Sequence, residues 1–291
     1  MEHRQEFHAI GTHWCIDFPT TLDAYRVEFV MQRIHSRIDE FDKTYSRFRP
    51  DSIVTMMSKT TGRYELPSDA APMLALYRRL YDLTDGAVTP LIGQTLSDAG
   101  YDAAYSLKTK SMSSPKRWDD VMRVEGSAID LLEPVLLDFG AAGKGYLIDI
   151  VSEIIESEGI DSYCVDAGGD MRYRSSAGEV LRVGLEDPSN VSQAIGVASI
   201  VNKSICGSAG NRRTWGAFTH ILDPKLLTSP RHILAVWVIA DTTMLADGLT
   251  TALMFVDPEV LRPEFDFEFA IVHEDFSLTR SAGFPGEFFQ S

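Results

Sequence analysis

This 291-residue chain lacks long apolar runs, clustered cysteines and any surplus of basic charge. No stretch reaches the length of a membrane-crossing helix without a charged or polar break, so a membrane span is not expected. Cys15, Cys164 and Cys206 lie far apart and show no C-x-x-C or His-rich spacing, which argues against a disulfide framework and a zinc site and leaves buried, reduced thiols as the expectation. The opening segment MEHRQEFHAIGTHW has no apolar signal-peptide core and no lipobox, and a cytoplasmic location is expected for the chain as it stands. Basic residues are outnumbered 42 to 27 by acidic ones, for a net charge of -15, which argues against a nucleic-acid partner whose backbone must be neutralised by Lys and Arg. A phosphate-bearing ligand of so acidic a protein is most easily held by backbone N–H groups and by a metal that bridges carboxylates to phosphate oxygens.

What is present is an ordinary globular composition, 44% hydrophobic, without repeats, low-complexity tracts or long linkers, so a single unit over residues 1–291 is expected. A strand is predicted over Thr12 to Phe18. Val27, Met31, Ile34, Ile38 and Phe41 then recur at steps of four and three, one face of a long amphipathic helix. Met73, Leu76, Leu80 and Leu83 repeat that spacing in a second helix, which stops at Asp85-Gly86. Trp118 to Phe139 alternates about Glu125-Gly126 as a hairpin does. Next comes an apolar strand at Val135 to Leu137, the loop DFGAAGKG, a helix carrying Leu147, Ile150, Val151, Ile154 and Ile155, and a strand in SYCVDAGG. Near the C-terminal end, Ala235 to Ala240 reads as a buried strand and DTTMLADGLTTALMFV as a nearly apolar helix.

Four places carry candidate chemistry. The GAAGKG loop opens a helix whose first turn is expected to present N–H groups to an anion. It matches neither G-x-x-x-x-G-K-[ST] nor G-x-G-x-x-G, so a plain structural turn stands beside the ligand reading. DAGGD, Asp166 to Asp170, is either a second close-approach point for the same ligand or a bulge or turn. HILDP places His220 three residues before Asp223, and a lone His is more often structural than catalytic. Asp247 and Thr251 lie one helical turn apart, two hard oxygens that suit Mg²⁺. The alternative for that helix is a Thr back-bonding to its own backbone.

Taken in order, these segments resemble the ApbE family of FAD:protein FMN transferases along nearly the whole chain. FHAIGTHWCID resembles the M-G-T strand, YSRFRPDS the F-S-x-[FY]-x-x-x-S loop and LTDGAVTPLIG the D-G-x-F-D-P-T turn. LDFGAAGKGYLID resembles D-x-G-G-x-A-K-G-Y-x-x-D, CVDAGGDM the G-G-D strand end and RVGLEDP the G-x-x-D-P turn. GNRR resembles G-[DN]-Y-R, HILDP the H-I-[IL]-D-P motif, and ADGLTTAL the A-D-x-x-x-T-A-L helix. Nine such segments in order, with DxGxxxKGYxxD and HILDP among them, are highly specific.

The resemblance implies an α+β fold of mainly antiparallel sheets with packed helices and an FAD cleft between two halves of the chain. It also implies Mg²⁺-dependent transfer of FMN from FAD to a Ser or Thr hydroxyl of an acceptor flavoprotein carrying an S/T-G-A-[ST] segment, with AMP released. Carried over by position, Asp247, Thr251, Thr250 and the Ala141 carbonyl are the metal ligands. Phe48, the Ala87-Val88-Thr89 turn, Asp138 and Lys144 are flavin contacts, joined by Gly168, Gly169, Leu222 and Asp223. His220, with Asp247, is the catalytic candidate, as acceptor of the hydroxyl proton. The chain departs from the pattern at Thr89, where Asp is usual, at Ala209, where Ser is usual, and in KLLTSP, which replaces R-T-G-x-P. Two further readings stay open: a Mg²⁺-dependent FAD pyrophosphatase, in which water replaces the acceptor hydroxyl, and a non-catalytic flavin-binding protein, favoured if the departures at Thr89 and Ala209 disable the chemistry but spare the pocket.

Overall fold

The computed structural model describes residues 3–19, 22–211 and 213–289. Arg212 of the GNRR turn and the extreme ends of the expected 1–291 unit lie outside them. One large sheet has eight strands whose spatial order is their chain order: β1 (His3–Ala9), β2 (Thr12–Phe18), β3 (Tyr163–Ala167), β4 (Asp170–Arg174), β5 (Ser204–Ala209), β6 (Ile233–Ala240), β7 (Glu268–His273) and β8 (Leu278–Arg280). Every pairing between described strands is antiparallel, as expected for an α+β fold. Residues 19–162 are therefore inserted between two neighbouring strands, β2 and β3.

The pleat decides which layer each side chain enters. Along β6, Val236, Val238 and Ala240 join the core beneath the helices, while Ala235, Trp237 and Ile239 face a second core. That second core is closed by a three-stranded sheet of Leu181–Asp187, Asn190–Ile200 and Gly286–Phe288. On the helical side lie α1 (Ala24–Tyr45), α2 (Ala70–Leu83), α3 (Gly143–Ser157) and α4 (Thr243–Ala252). Asp23 caps α1 by accepting the Arg26 amide at 2.9 Å, and its buried stripe includes Val27, Met31, Ile34, Ile38 and Phe41. The second helix ends as expected, with the chain reversing through Asp85 (φ 50°) and Gly86 (φ 81°). None of the described helices is long and apolar enough to cross a membrane. The thiols of Cys15, Cys164 and Cys206 are free, and Cys15 is only half-buried.

Two expectations need correction. The hairpin predicted over Trp118 to Phe139 is confined to strands Met122–Glu125 and Ala128–Leu131, preceded by a short helix at Trp118–Val121. Val135 to Leu137 is not a strand. Its neighbourhood is bound to loops instead: the Val135 amide donates to the Met57 carbonyl (3.1 Å) and the Asp138 amide to the Pro90 carbonyl (2.7 Å). The element before the glycine loop is thus an unpaired extended segment, and the strand–loop–helix–strand reading loses its first member.

Candidate functional site

A cavity of about 950 Å³ gathers residues from most of these elements. Its lining includes the turn from β1 to β2, the segment after α1, the turn after α2, the DFGAAGKG loop, the β3–β4 turn, the end of β5, the HILDP segment and one side of α4. Both halves of the chain contribute. The volume lies in the range of ligand pockets and is large enough for a dinucleotide-sized molecule.

The β3–β4 turn is built by Gly168 (φ 65°) and Gly169 (φ 96°), the positive φ values that a two-residue hairpin loop needs. Asp166 fixes it by accepting the Gly169 amide at 2.8 Å. Burial pushes the Asp166 carboxyl above the ordinary carboxylate range, with that amide opposing. The turn ends at Asp170, the first residue of β4, whose buried carboxylate pairs with Lys144. The Lys144 ammonium also stands 3.9 Å from Asp247 Oδ1, while Asp247 Oδ2 accepts the Gly145 amide at 2.8 Å. Burial is the main force on Asp247 and raises its carboxyl above the ordinary range; Lys144 and the Gly145 amide pull it back. Two buried carboxylates thus share one ammonium.

The glycine loop is held from within. The phenol oxygen of Tyr77, buried in α2, accepts the amides of Ala141 and Ala142, both at 3.1 Å. Gly140 donates to Asp138 Oδ1 (2.7 Å), and Gly143 to the Phe139 carbonyl (2.8 Å). Together with Gly145, these amides are already taken, so the Gly143 and Gly145 N–H groups in the first turn of α3 are not offered to an anion. Positive charge in the lining comes from cationic side chains. Arg47 is one such cation in the lining, with its guanidinium buried against Asp138, its Nη1 donating to the Tyr101 carbonyl at 2.7 Å and its plane over the Phe48 ring at 4.2 Å. Phe48 in turn stacks on Tyr105 (5.3 Å, 12°), and Tyr101 on Trp215 (5.6 Å, 23°); Phe48, Tyr101 and Tyr105 line the cavity.

Of the residues singled out from the sequence, Phe48, Ala87, Val88, Thr89, Asp138, Ala141 and Lys144 line this cavity, as do Gly168, Gly169, His220, Leu222, Asp247 and Thr251. Two lie off it. The Thr250 hydroxyl is fully buried, donates to the Asp247 carbonyl at 2.7 Å and hydrogen-bonds Ser208 Oγ at 2.8 Å, so the back-bonding alternative describes Thr250 while Thr251 shares the cavity with Asp247. Asp223 closes its own turn, with Oδ1 accepting the amides of Lys225 (2.8 Å) and Leu226 (2.9 Å). His220 is half-buried in the lining.

Asp247, Thr251 and the main chain at Ala141 supply hard oxygen donors of the kind a divalent cation takes. Among the described residues no group of three His, Cys, Asp or Glu side chains forms a metal site, so a cation here needs the hydroxyl and carbonyl oxygens as well as Asp247. Two of the departures, Thr89 and Ala209, line the same cavity, whereas KLLTSP lies off it. Thr89 uses its hydroxyl to accept the Leu91 amide (3.2 Å), Ala209 lines the cavity at the end of β5, and Leu227 adopts φ 56°. Sequence reasoning missed Tyr77, Arg47 and Asp170. Arg47 and Asp170 stood inside quoted motifs; Tyr77 sits in a helix interior and carries no signal that separates it from core.

Residues 10–263 match the ApbE family. The FAD:protein FMN transferase of Escherichia coli K12 is 24% identical over 275 residues, covering 86% of this chain and 77% of the relative. The flavin transferase ApbE from Vibrio cholerae superposes with a TM-score of 0.78 at 19% identity, covering 97% of each chain. The ApbE protein from Thermotoga maritima gives 0.80 at 20% identity, over 96% of this chain and 97% of the other. These likenesses match the ApbE-like, antiparallel α+β fold expected from the sequence.

Proposed function

Because the chain belongs to the ApbE family, we propose that it works as one unit over residues 1–291 that transfers the FMN half of FAD to a Ser or Thr hydroxyl of an acceptor flavoprotein. In this reaction the acceptor oxygen forms a bond to the FMN phosphorus, the diphosphate P–O bond breaks, and AMP leaves. One observation carries the reading: His220, Lys144, the Asp247–Thr251 pair and the stacked aromatic faces converge on one dinucleotide-sized cavity. Phosphoryl transfer asks mainly for positioning and charge neutralisation, and this lining provides both. Asp247, Thr251 and the Ala141 carbonyl would hold Mg²⁺, which when bound supplies positive charge to the diphosphate. Lys144 and Arg47 add positive charge beside the ligand, Phe48 offers its ring to the flavin or adenine, and the His220 imidazole takes the acceptor hydroxyl proton.

The test is incubation with FAD and Mg²⁺, with and without a peptide containing an S/T-G-A-[ST] segment, followed by AMP measurement and mass spectrometry of the peptide. AMP release that requires the peptide, with the mass of FMN added to it, is the expected result. AMP release without the peptide identifies a pyrophosphatase, and FAD binding without AMP identifies a non-catalytic flavin-binding protein.

A further inference from the structure

The charge balance beside Asp247 points to a residue that no motif role covers. Lys144 has two carboxylates within reach and is placed unequally between them, in contact with Asp170 and 3.9 Å from the nearer oxygen of Asp247. Asp170 is only 1% exposed and does not line the cavity, whereas Asp247 does. Its other oxygen is fixed, since Oδ1 accepts the Gly207 amide at 3.1 Å, which ties the carboxylate to β5 and aims Oδ2 at Lys144. The Gly168–Gly169 turn sets its height, because Asp170 pairs with Ala167 directly across that loop.

We propose that Asp170 is a positioning residue for the cation site: by engaging the Lys144 ammonium it leaves the negative charge of Asp247 only partly compensated and open to a divalent cation. The inference rests on the metal role given to Asp247 above. Without Asp170, Lys144 is the nearest positive group to Asp247 and a direct competitor for it. An ammonium that loses its partner there is drawn to the carboxylate already within ion-pair reach, Asp247.

The experiment measures Mn²⁺ binding to the flavin-free protein by calorimetry and electron paramagnetic resonance, and so does not depend on turnover. Asp170→Asn keeps an acceptor for the Gly207 amide and is expected to weaken Mn²⁺ binding by about 10- to 100-fold, the usual cost of losing an outer-shell partner. Adding Lys144→Met removes the competitor and is expected to restore parental affinity, a rescue that a purely structural role for Asp170 does not produce. Unchanged affinity in Asp170→Asn, or a double variant as weak as Asp170→Asn, overturns the role of Asp170 alone. Parental Mn²⁺ binding that is absent or insensitive to Asp247→Asn overturns the metal reading, and this inference with it. Thermal unfolding of each variant confirms that folded protein is being compared.

Discussion

Gly145 and Asp247 touch where α3 meets α4: the glycine amide donates to Asp247 Oδ2 at 2.8 Å, and a Cβ on residue 145 would lie 2.7 Å from that of Asp247. It would also press on the Thr243 carbonyl, so only glycine permits this approach. Gly145→Ala is expected to destabilise the protein by about 1–3 kcal/mol, the range for overpacking a tight contact, and to displace Asp247. Denaturant unfolding and Mn²⁺ affinity should both worsen. Loss of stability with unchanged metal binding would show that the helix contact does not position Asp247.

Asp247→Asn keeps an acceptor for the Gly145 amide while removing the charge. Mg²⁺-dependent AMP release should disappear, with the melting temperature equal to or above the parent's, because burial disfavours the charged carboxylate. Full activity in this variant rules out Asp247 as the metal ligand.

His220→Ala separates binding from chemistry. Loss of a general base lowers the rate by roughly 10²- to 10⁴-fold, so FMN transfer should fall by that factor while FAD affinity stays near parental. Stopped reactions at saturating FAD, alongside a direct titration, read the two separately. A fall in affinity with the saturated rate preserved assigns His220 to shaping the pocket instead.

Leu227 adopts φ 56°, a conformation that costs an L-residue about 1–2 kcal/mol. Glycine loses more chain entropy on folding, about 0.5–1 kcal/mol, so Leu227→Gly should gain somewhat under 1 kcal/mol net. A higher urea midpoint is the expected outcome, and a lower one means that the half-buried leucine side chain outweighs its backbone strain.

Asp149 carries a pH-dependent cost. It accepts the amides of Thr243 and Met244, both at 2.8 Å, at the start of α4. Burial nevertheless holds its carboxyl above the ordinary range, with those two amides opposing. The folded state therefore binds this proton more tightly than the unfolded chain, so the stabilising contribution is complete below the unfolded carboxylate pKa and is lost as pH rises through the folded value. Relative to Asp149→Asn, the parent should lose stability as the pH rises above the unfolded carboxylate value of about 4. Urea midpoints of both proteins across that rise check the slope, and a constant difference counts against it.

The helices were legible because each shows a long buried stripe: the spacing of Val27, Met31, Ile34, Ile38 and Phe41 leaves little choice of period. Val135 to Leu137 misled because three apolar residues look alike in a strand and in a segment packed under loops; the partners that decide it, Met57 and Pro90, are far away in sequence. Within the site, the Asp247–Thr251 spacing was readable because one helical turn fixes both side chains on one face. Thr250 was not separable from Thr251 until the neighbouring Ser208 was in place. The Tyr77 hydroxyl was invisible for a different reason: a tyrosine in a buried helical stripe keeps the stripe's pattern whatever its oxygen does.

The insertion of residues 19–162 between β2 and β3 sets an order on assembly. Hairpins such as β1–β2 and β3–β4 close over two-residue loops and form early, but joining β2 to β3 must close the whole intervening chain, the entropically dearer step. The Gly168 amide donates to the His13 carbonyl at 2.9 Å at the end of that seam, and both residues line the cavity. The pocket is therefore expected to be completed late in folding. Ligand competence during refolding should arrive together with the closing of that seam, later than the signal from the local hairpins.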